Sequence, residues 1–174
     1  MHNEPWAAAQ GFHGHACPGL AIGVRASEAV ERWLGAGHAA DEELVCITEN
    51  DACGVDAIQV LLGCTFGKGN LIYRSTGKHA YTFVNRDSGK AIRLYLQAQN
   101  PGLERQAFQD YLLGAPVDEL FTCTTVDGAV PERARIFTSI TCETCGEAAA
   151  EHKIRLQSGQ RVCLDCVHEY TRGW

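Results

Sequence analysis

Four cysteines near the carboxyl end of the chain have the spacing of a metal site. Cys142 and Cys145 form one C-x2-C pair, Cys163 and Cys166 form a second, and seventeen residues lie between the pairs. Each such turn offers two thiolates from one chain reversal, and structural zinc sites take four such ligands in a tetrahedron. The sequence therefore predicts a structural Zn2+ ion held by all four cysteines.

The segment between the two pairs predicts how they meet. Residues 153–156 and 160–162 flank Ser158 and Gly159, which is the pattern of a β-hairpin. Residues 167–170, directly after the second pair, resemble the start of a helix. A C-x2-C turn, a hairpin, a second C-x2-C turn and a helix, in that order, are typical of a treble-clef-like zinc finger. A rubredoxin-like iron site is the alternative, whereas c-type haem is excluded because neither C-x-x-C is followed by His.

A second group of metal-binding residue types lies near the amino end. His13, His15 and Cys17 occur in the string His-Gly-His-Ala-Cys-Pro-Gly. In an extended loop, residues two apart point the same way, so the three side chains can project to one side. Such donors suit zinc as a second metal, with nickel or iron as alternatives. The competing interpretation is a capping loop with ordinary histidines and a buried thiol.

Cys53 and Cys64 compete to be a further ligand at this second site. They flank a predicted helix, Gly54–Leu62. The two cysteines are eleven positions apart, roughly 16 Å along a helix axis, so we expect one to join the site and the other to pack in the core. Cys46 and Cys123 are expected to be buried thiols.

Two other features could support chemistry at that site. Asp51 and Asp56 are expected to accept a hydrogen bond from a ligating imidazole. The loop at residues 63–70 superficially resembles a phosphate loop but has the wrong spacing and places Gly69 where Ser or Thr would hold magnesium. Its backbone amides and Lys68 can still hold an anion, and the alternative is a tight turn with a solvated lysine.

The elements that must position these residues are predicted by periodicity and caps. Apolar residues recur every three or four positions over Pro18–Leu34, which predicts a helix, and the β-branched run Leu44–Thr48 predicts a strand. Further expected elements are a strand at 71–74, a hairpin at 81–85 and 91–96, and helices opened by Pro101 and Pro116. The prediction is an α+β fold, in which residues 1–138 form an antiparallel sheet with helices on one side and residues 139–174 form the zinc finger.

Composition narrows the class of protein. The chain has 174 residues, 45% of them hydrophobic, which suits one domain of about 100–150 residues with a small appendage. The net charge of −6 argues against general binding to nucleic acid. The first residues do not resemble a signal peptide and no apolar run could span a membrane, so we expect a cytoplasmic protein with reduced cysteines.

Three strings resemble the FmdE family, named for the E subunit of formylmethanofuran dehydrogenase: Phe-His-Gly-His-Ala-Cys-Pro-Gly at 12–19, Asp-Ala-Ile-Gln at 56–59, and Gly-Cys-Thr-Phe-Gly-Lys-Gly-Asn-Leu at 63–71. The resemblance implies an α+β domain that tends to form a homodimer and carries a metal near the His-x-Cys motif. That motif falls on His15 and Cys17, with His13 beside them, and the matching motifs also include Cys53 and Cys64. A C-terminal zinc finger is a frequent appendage of the family.

The function expected from this resemblance is metal binding associated with molybdenum- or tungsten-dependent one-carbon (formyl) metabolism. The chain lacks a pterin-sized domain and ferredoxin cysteine spacing, so it would be an accessory subunit of formylmethanofuran dehydrogenase rather than its catalytic subunit. Subunits of the molybdenum or tungsten enzyme and a small-molecule ligand are the expected partners. The alternative is a zinc-finger interaction or regulatory module that contacts protein or nucleic acid, and whether the chain is an enzyme stays open.

Overall fold

The computed structural model describes residues 3–127, 130–170 and 172, and no side chain for Asn3. Its contacts divide the chain into two compact units, Met1–Ala134 and Arg135–Trp174. Among the helices in the described part of the chain, none combines the length and apolar character needed to cross a bilayer.

The described residues of the first unit form five helices. They are α1 (Asn3–His13), α2 (Pro18–Leu34), α3 (Gly54–Leu62), α4 (Arg105–Gly114) and α5 (Val117–Leu120). Helix α2 begins with proline and ends where Gly35 adopts a left-handed conformation, with φ of 64°. The predicted α2 and α3 are confirmed, α4 begins four residues after Pro101, and α1 was not predicted.

Five strands form one mixed sheet. They are β1 (Leu44–Thr48), β2 (Leu71–Tyr73), β3 (Ala80–Asn85), β4 (Ala91–Leu96) and β5 (Phe121–Thr125), in the order β2-β1-β3-β4-β5. The pairs β1–β3, β3–β4 and β4–β5 are antiparallel. Strand β2 pairs with β1 in parallel, because α3 forms a crossover between them. The α+β class is confirmed, and the sheet is mixed rather than wholly antiparallel.

The main core lies between one face of this sheet and the helices. Tyr81, Phe83 and Leu94 are fully buried there, together with apolar residues of α2 and α3. Buried Arg25 of α2 donates to the backbone oxygen of Ala115, 2.5 Å away, just after α4. A smaller cluster of Val45, Val84 and Ala91 covers part of the opposite face. The helices therefore lie on one side of the sheet, as predicted.

Helices α2 and α3 approach so closely that only glycine fits between them. A Cβ atom added to Gly23 would overlap the backbone oxygen of Gly54. A Cβ atom on Gly54 would in turn lie 2.8 Å from the Tyr81 hydroxyl and 3.0 Å from the Gly19 oxygen. The absence of side chains at these positions allows the starts of the two helices to lie side by side.

The second unit consists of short hairpins. Strands β6 (Ser139–Thr141) and β7 (Ala148–Ala150) pair, and after a 3-10 turn β8 (Ile154–Gln157) pairs with β9 (Gln160–Cys163). Ser158 and Gly159, with φ of 53° and 83°, form the predicted tight turn.

The helix expected at residues 167–170 is absent from the second unit. His168 instead bonds through its backbone to the side chain of Gln157, at 2.6 Å and 3.1 Å. These bonds join the segment to Gln157 at the end of β8, and residues 167–170 are not helical.

Candidate metal centres

The ends of three helices bring His13, Cys17 and Cys53 together. One potential ligand atom from each residue lies within 4.8 Å of the other two. His13 is the last residue of α1, whereas Cys17 and Cys53 are the N-cap residues of α2 and α3. Two thiols and an imidazole are donors that zinc and its neighbours in the transition series accept. The three side chains therefore form a candidate site for one metal ion, the first centre.

A tight connection between α1 and α2 places the first two ligands. Gly14 has φ of 89°, and its backbone N–H donates to the oxygen of Gln10, which closes the end of α1. The Sγ atom of Cys17 accepts from the backbone N–H of Leu20 at 3.3 Å and lies 3.9 Å from Nε2 of His13. The N-terminus of α2 therefore fixes the position of the Cys17 sulfur through a backbone N–H.

The third ligand reaches the site because of Gly19. A Cβ atom added to Gly19 would lie 3.2 Å from the Cβ and 3.6 Å from the Sγ of Cys53, and 3.9 Å from the Sγ of Cys17. The two sulfurs therefore face each other across the space that a larger residue at position 19 would occupy.

Asp56 orients the histidine of this centre. Its carboxylate lies 2.7 Å from Nδ1 of His13 and accepts a second bond from Gln59 at 3.3 Å. A bond at Nδ1 directs the other nitrogen, Nε2, toward the two sulfurs, as carboxylate–histidine pairs do at metal sites. Asp56 thus makes the expected hydrogen bond with an imidazole, whereas Asp51 is exposed.

The electrostatics of the two thiols favour a bound cation. Burial raises the pKa of Cys53, and its hydrogen bond with Cys17 raises that pKa further. Two adjacent thiolates repel each other in a partly buried site unless a positive charge compensates them. A metal ion would supply that charge.

The other residues proposed for this site lie outside the group of three. His15 is exposed, with its ring centroid 4.3 Å from that of His13. The extended-loop argument was wrong at this point, because α1 continues to His13 and the helix end, not alternation, brings His13 to Cys17.

Cys64 and Lys68 have contacts of their own. Cys64 is fully buried, its Sγ lies 3.5 Å from the backbone oxygen of Leu44, and burial raises its pKa to about 12. Lys68 donates to the backbone oxygen of Ala39 at 2.8 Å. Of the two competing cysteines, Cys53 therefore joins the group, and Cys64 packs in the core.

Replacing Asp56 by asparagine is expected to weaken metal binding at the first centre by about 10- to 100-fold, because His13 loses the carboxylate that orients it. Competition with a chromogenic chelator would measure the affinity. Asp51→Asn is the matched control, since the exposed Asp51 should leave affinity unchanged. Equal affinities for both variants would contradict a role for Asp56.

The second centre comprises the four predicted cysteines. One sulfur each from Cys142, Cys145, Cys163 and Cys166 lies within 4.8 Å of the others. Backbone N–H groups of Cys145 and then Cys163 lower the pKa of Cys142 to about 6. Hydrogen bonds to the Cys163 and Cys145 thiols raise the pKa of Cys166 to about 12. Zinc would hold all four as thiolates and leave no position for a substrate.

Comparison with known families identifies both parts of the chain. The model described as "FmdE, Molybdenum formylmethanofuran dehydrogenase operon" matches residues 12–121, a stretch that contains the whole first centre. The chain belongs to the FmdE family. A second model, the prokaryotic dksA/traR C4-type zinc finger, matches residues 135–172 and implies a structural zinc ion at the four cysteines.

Two individual proteins are similar to this FmdE-family chain. A protein of Archaeoglobus fulgidus named "Probable S-adenosyl-L-methionine-binding protein" is 32% identical over 195 residues, which cover 93% of this chain and 52% of that protein. The chain thus spans about half the length of that relative. An FmdE-like protein from Syntrophus aciditrophicus, named for tungsten formylmethanofuran dehydrogenase, has the same fold, with a TM-score of 0.68 at 23% identity over 95% of this chain and 91% of that one.

Proposed function

We propose that this protein binds a transition metal ion through His13, Cys17 and Cys53 and presents it to a small molecule. The convergence of these three donors at the ends of three helices carries the proposal. Zinc suits the mixed sulfur and nitrogen donors, with nickel and iron as the alternatives. Three protein ligands leave one coordination position of a tetrahedral ion open for water or another ligand.

The chain's own residues would prepare this ion for chemistry. Asp56 holds His13 in the tautomer that directs Nε2 to the ion, and the backbone N–H of Leu20 fixes the position of the Cys17 sulfur. When bound, the ion would act as a Lewis acid toward an oxygen of the small molecule. Trp6 and Leu20 pack in the apolar cluster that includes Cys17, and this cluster limits water on the protein side of the centre.

The proposed context is one-carbon (formyl) metabolism that depends on molybdenum or tungsten. The description of the family and the name of the similar Syntrophus protein both point to formylmethanofuran dehydrogenase. In this context the chain would act as a homodimeric accessory protein, and subunits of the molybdenum or tungsten enzyme would be its partners.

Metal analysis of the purified full chain tests the first centre. We expect two metal ions per chain in the wild type and one in Cys17→Ala, because that variant loses a ligand while the finger keeps its zinc. Cys64→Ala is the matched control, since it removes a buried thiol outside the group and should retain two ions. One ion in the wild type, or two in Cys17→Ala, would refute the proposal.

Cobalt substitution tests whether the open position accepts a formyl-bearing ligand. Subtracting the spectrum of Co2+-loaded Cys17→Ala from that of the Co2+-loaded wild type gives the visible spectrum of Co2+ at the first centre. We expect this difference spectrum to shift when N-formyl compounds or formate are added, because a fourth ligand changes the coordination of the ion. Acetamide, which has a similar oxygen, is the control ligand. No shift with any formyl compound would leave the metal site standing and reject the formyl assignment.

A further inference from the structure

Strand β5 forms an edge of the five-stranded sheet. It pairs with β4 on one side, and no described strand pairs with its other side. Residues 122–125 of this strand are exposed. The thiol of Cys123, which we expected in the core, is among these exposed groups at the centre of the strand.

The direction of each backbone group along β5 follows from the ladder. The backbone N–H of Leu96 donates to the backbone oxygen of His79, so even-numbered residues of β4 direct their backbone groups toward β3. The backbone oxygen of Ala91 accepts from Val126 N–H, so odd-numbered residues of β4 direct theirs toward β5. Arg93 and Tyr95 are opposite Thr124 and Thr122. In an antiparallel ladder the backbone groups of two paired residues either both point toward each other's strand or both point away from it. The backbone groups of Thr122 and Thr124 therefore bond to β4.

The remaining residues of β5 direct backbone groups outward. These are the N–H and C=O groups of Cys123 and Thr125 and the C=O group of Phe121, whose N–H already donates to Val117. The outer edge thus offers both donors and acceptors over five residues, enough for a short antiparallel pairing.

This edge lacks the features that usually prevent pairing between molecules. Proteins protect free edges with charged residues, prolines or bulges, whereas Phe-Thr-Cys-Thr-Thr contains neither a charge nor a proline. The opposite edge, β2, has only three residues and is followed directly by Arg74. Of the two edges of the sheet, β5 is therefore the one suited to pair with another strand.

We propose that β5 pairs with β5 of a second copy of this chain, antiparallel and with the two-fold axis at Cys123. In that register the two Cys123 residues exchange both of their backbone hydrogen bonds. Each Thr125 N–H donates to the outward oxygen of Phe121 in the other copy. The two sheets then form one continuous sheet across the dimer. This inference rests on the homodimer of the proposed function and specifies its interface.

The sequence of β5 is complementary to itself in this register. Thr122 of one copy lies beside Thr124 of the other, so threonine pairs form on one face of the new ladder. Phe121, opposite Thr125, contributes its backbone oxygen while its side chain stays buried in its own unit. An uncharged strand also meets its own copy without repulsion. Tyr95, 44% exposed and paired with Thr122, extends the contact onto the next strand. A second copy is therefore the partner that this edge fits.

A pair of substitutions at the proposed axis tests the interface by analytical ultracentrifugation of the full chain. Cys123→Pro removes an outward N–H that does not bond to β4, so β5 should still pair with β4. The dimer should lose two hydrogen bonds of about 1 kcal/mol each, which raises its dissociation constant roughly 30-fold. Cys123→Val keeps the N–H and should leave the dimer intact. Thr125→Pro removes another outward N–H and replaces Cys123→Pro if that variant does not fold.

A short bis-maleimide provides an independent measurement in the wild type. Peptide mapping is expected to find Cys123 linked to Cys123 of another copy. Dimers that persist in folded proline variants, or a dimer without this cross-link, would overturn the β5 interface and leave a homodimer formed elsewhere. A wild type that stays monomeric would overturn both the interface and the homodimer, and neither result bears on the metal centres.

Discussion

Replacing Cys166 by serine is expected to unfold residues 135–174 and to leave the first unit folded. Among the described residues of this segment only Cys142 and Val162 are buried, so the unit has almost no apolar core of its own. In zinc-finger peptides the binding free energy of the ion, about 10–16 kcal/mol, is the folding free energy. Loss of one of four ligands therefore removes the main source of stability.

Limited proteolysis with trypsin would measure this effect. The wild type should resist cleavage after Arg155 and Arg161, which lie in β8 and β9, whereas Cys166→Ser should be cut there while residues of the α+β unit stay protected. Cys123→Ser, at an exposed thiol of the first unit, is the matched control. A Cys166→Ser variant that remains resistant and still binds one ion in the finger would contradict a metal-dependent fold.

The parts of the molecule that were predictable from sequence depend on nearby residues. The zinc finger requires only two C-x2-C turns and a hairpin, and all of these lie within a short segment. The bounds of α2 and α3 follow from periodicity and from the glycines that end both helices. These elements are specified by interactions between residues close in sequence, so tertiary packing does not change their predicted structure.

The ligand set of the first centre depended on an element that the sequence pattern concealed. Helix α1 contains Pro5, Gly11 and a run of alanines, and it has no strong apolar stripe. Without that helix, His13 and His15 appeared equivalent. The choice between Cys53 and Cys64 likewise depended on the contact between α2 and α3. A usable signal was present, because Gly19 and Gly23 lie one turn apart in α2 and mark a close approach.

Gly23→Ala is expected to destabilise the first unit by about 3 kcal/mol, because overpacking a close contact costs typically 1–3 kcal/mol and here the obstacle is backbone. The added methyl group would overlap the oxygen of Gly54, which no side-chain rotation can move. The two helices must separate to accept it. Thermal unfolding would show a midpoint lower by about 10 °C.

Gly11→Ala is the matched control for this substitution. Gly11 also lies within a helix, but a Cβ atom there would meet nothing within 4 Å. The control should therefore stabilise the protein by about 0.5–1 kcal/mol, since alanine favours the helix more than glycine does. Equal effects of the two substitutions would show that α2 and α3 do not pack through Gly23.

Gly23→Ala should also impair the first metal centre. Cys17 and Cys53 cap the two helices that Gly23 and Gly54 hold together, so separation of the helices moves the sulfurs apart. We expect Gly23→Ala to lose the metal of the first centre and to keep the zinc of the finger, as metal analysis of the folded fraction would detect. A variant that is destabilised but keeps both ions would mean that the positions of the two sulfurs do not depend on this helix contact.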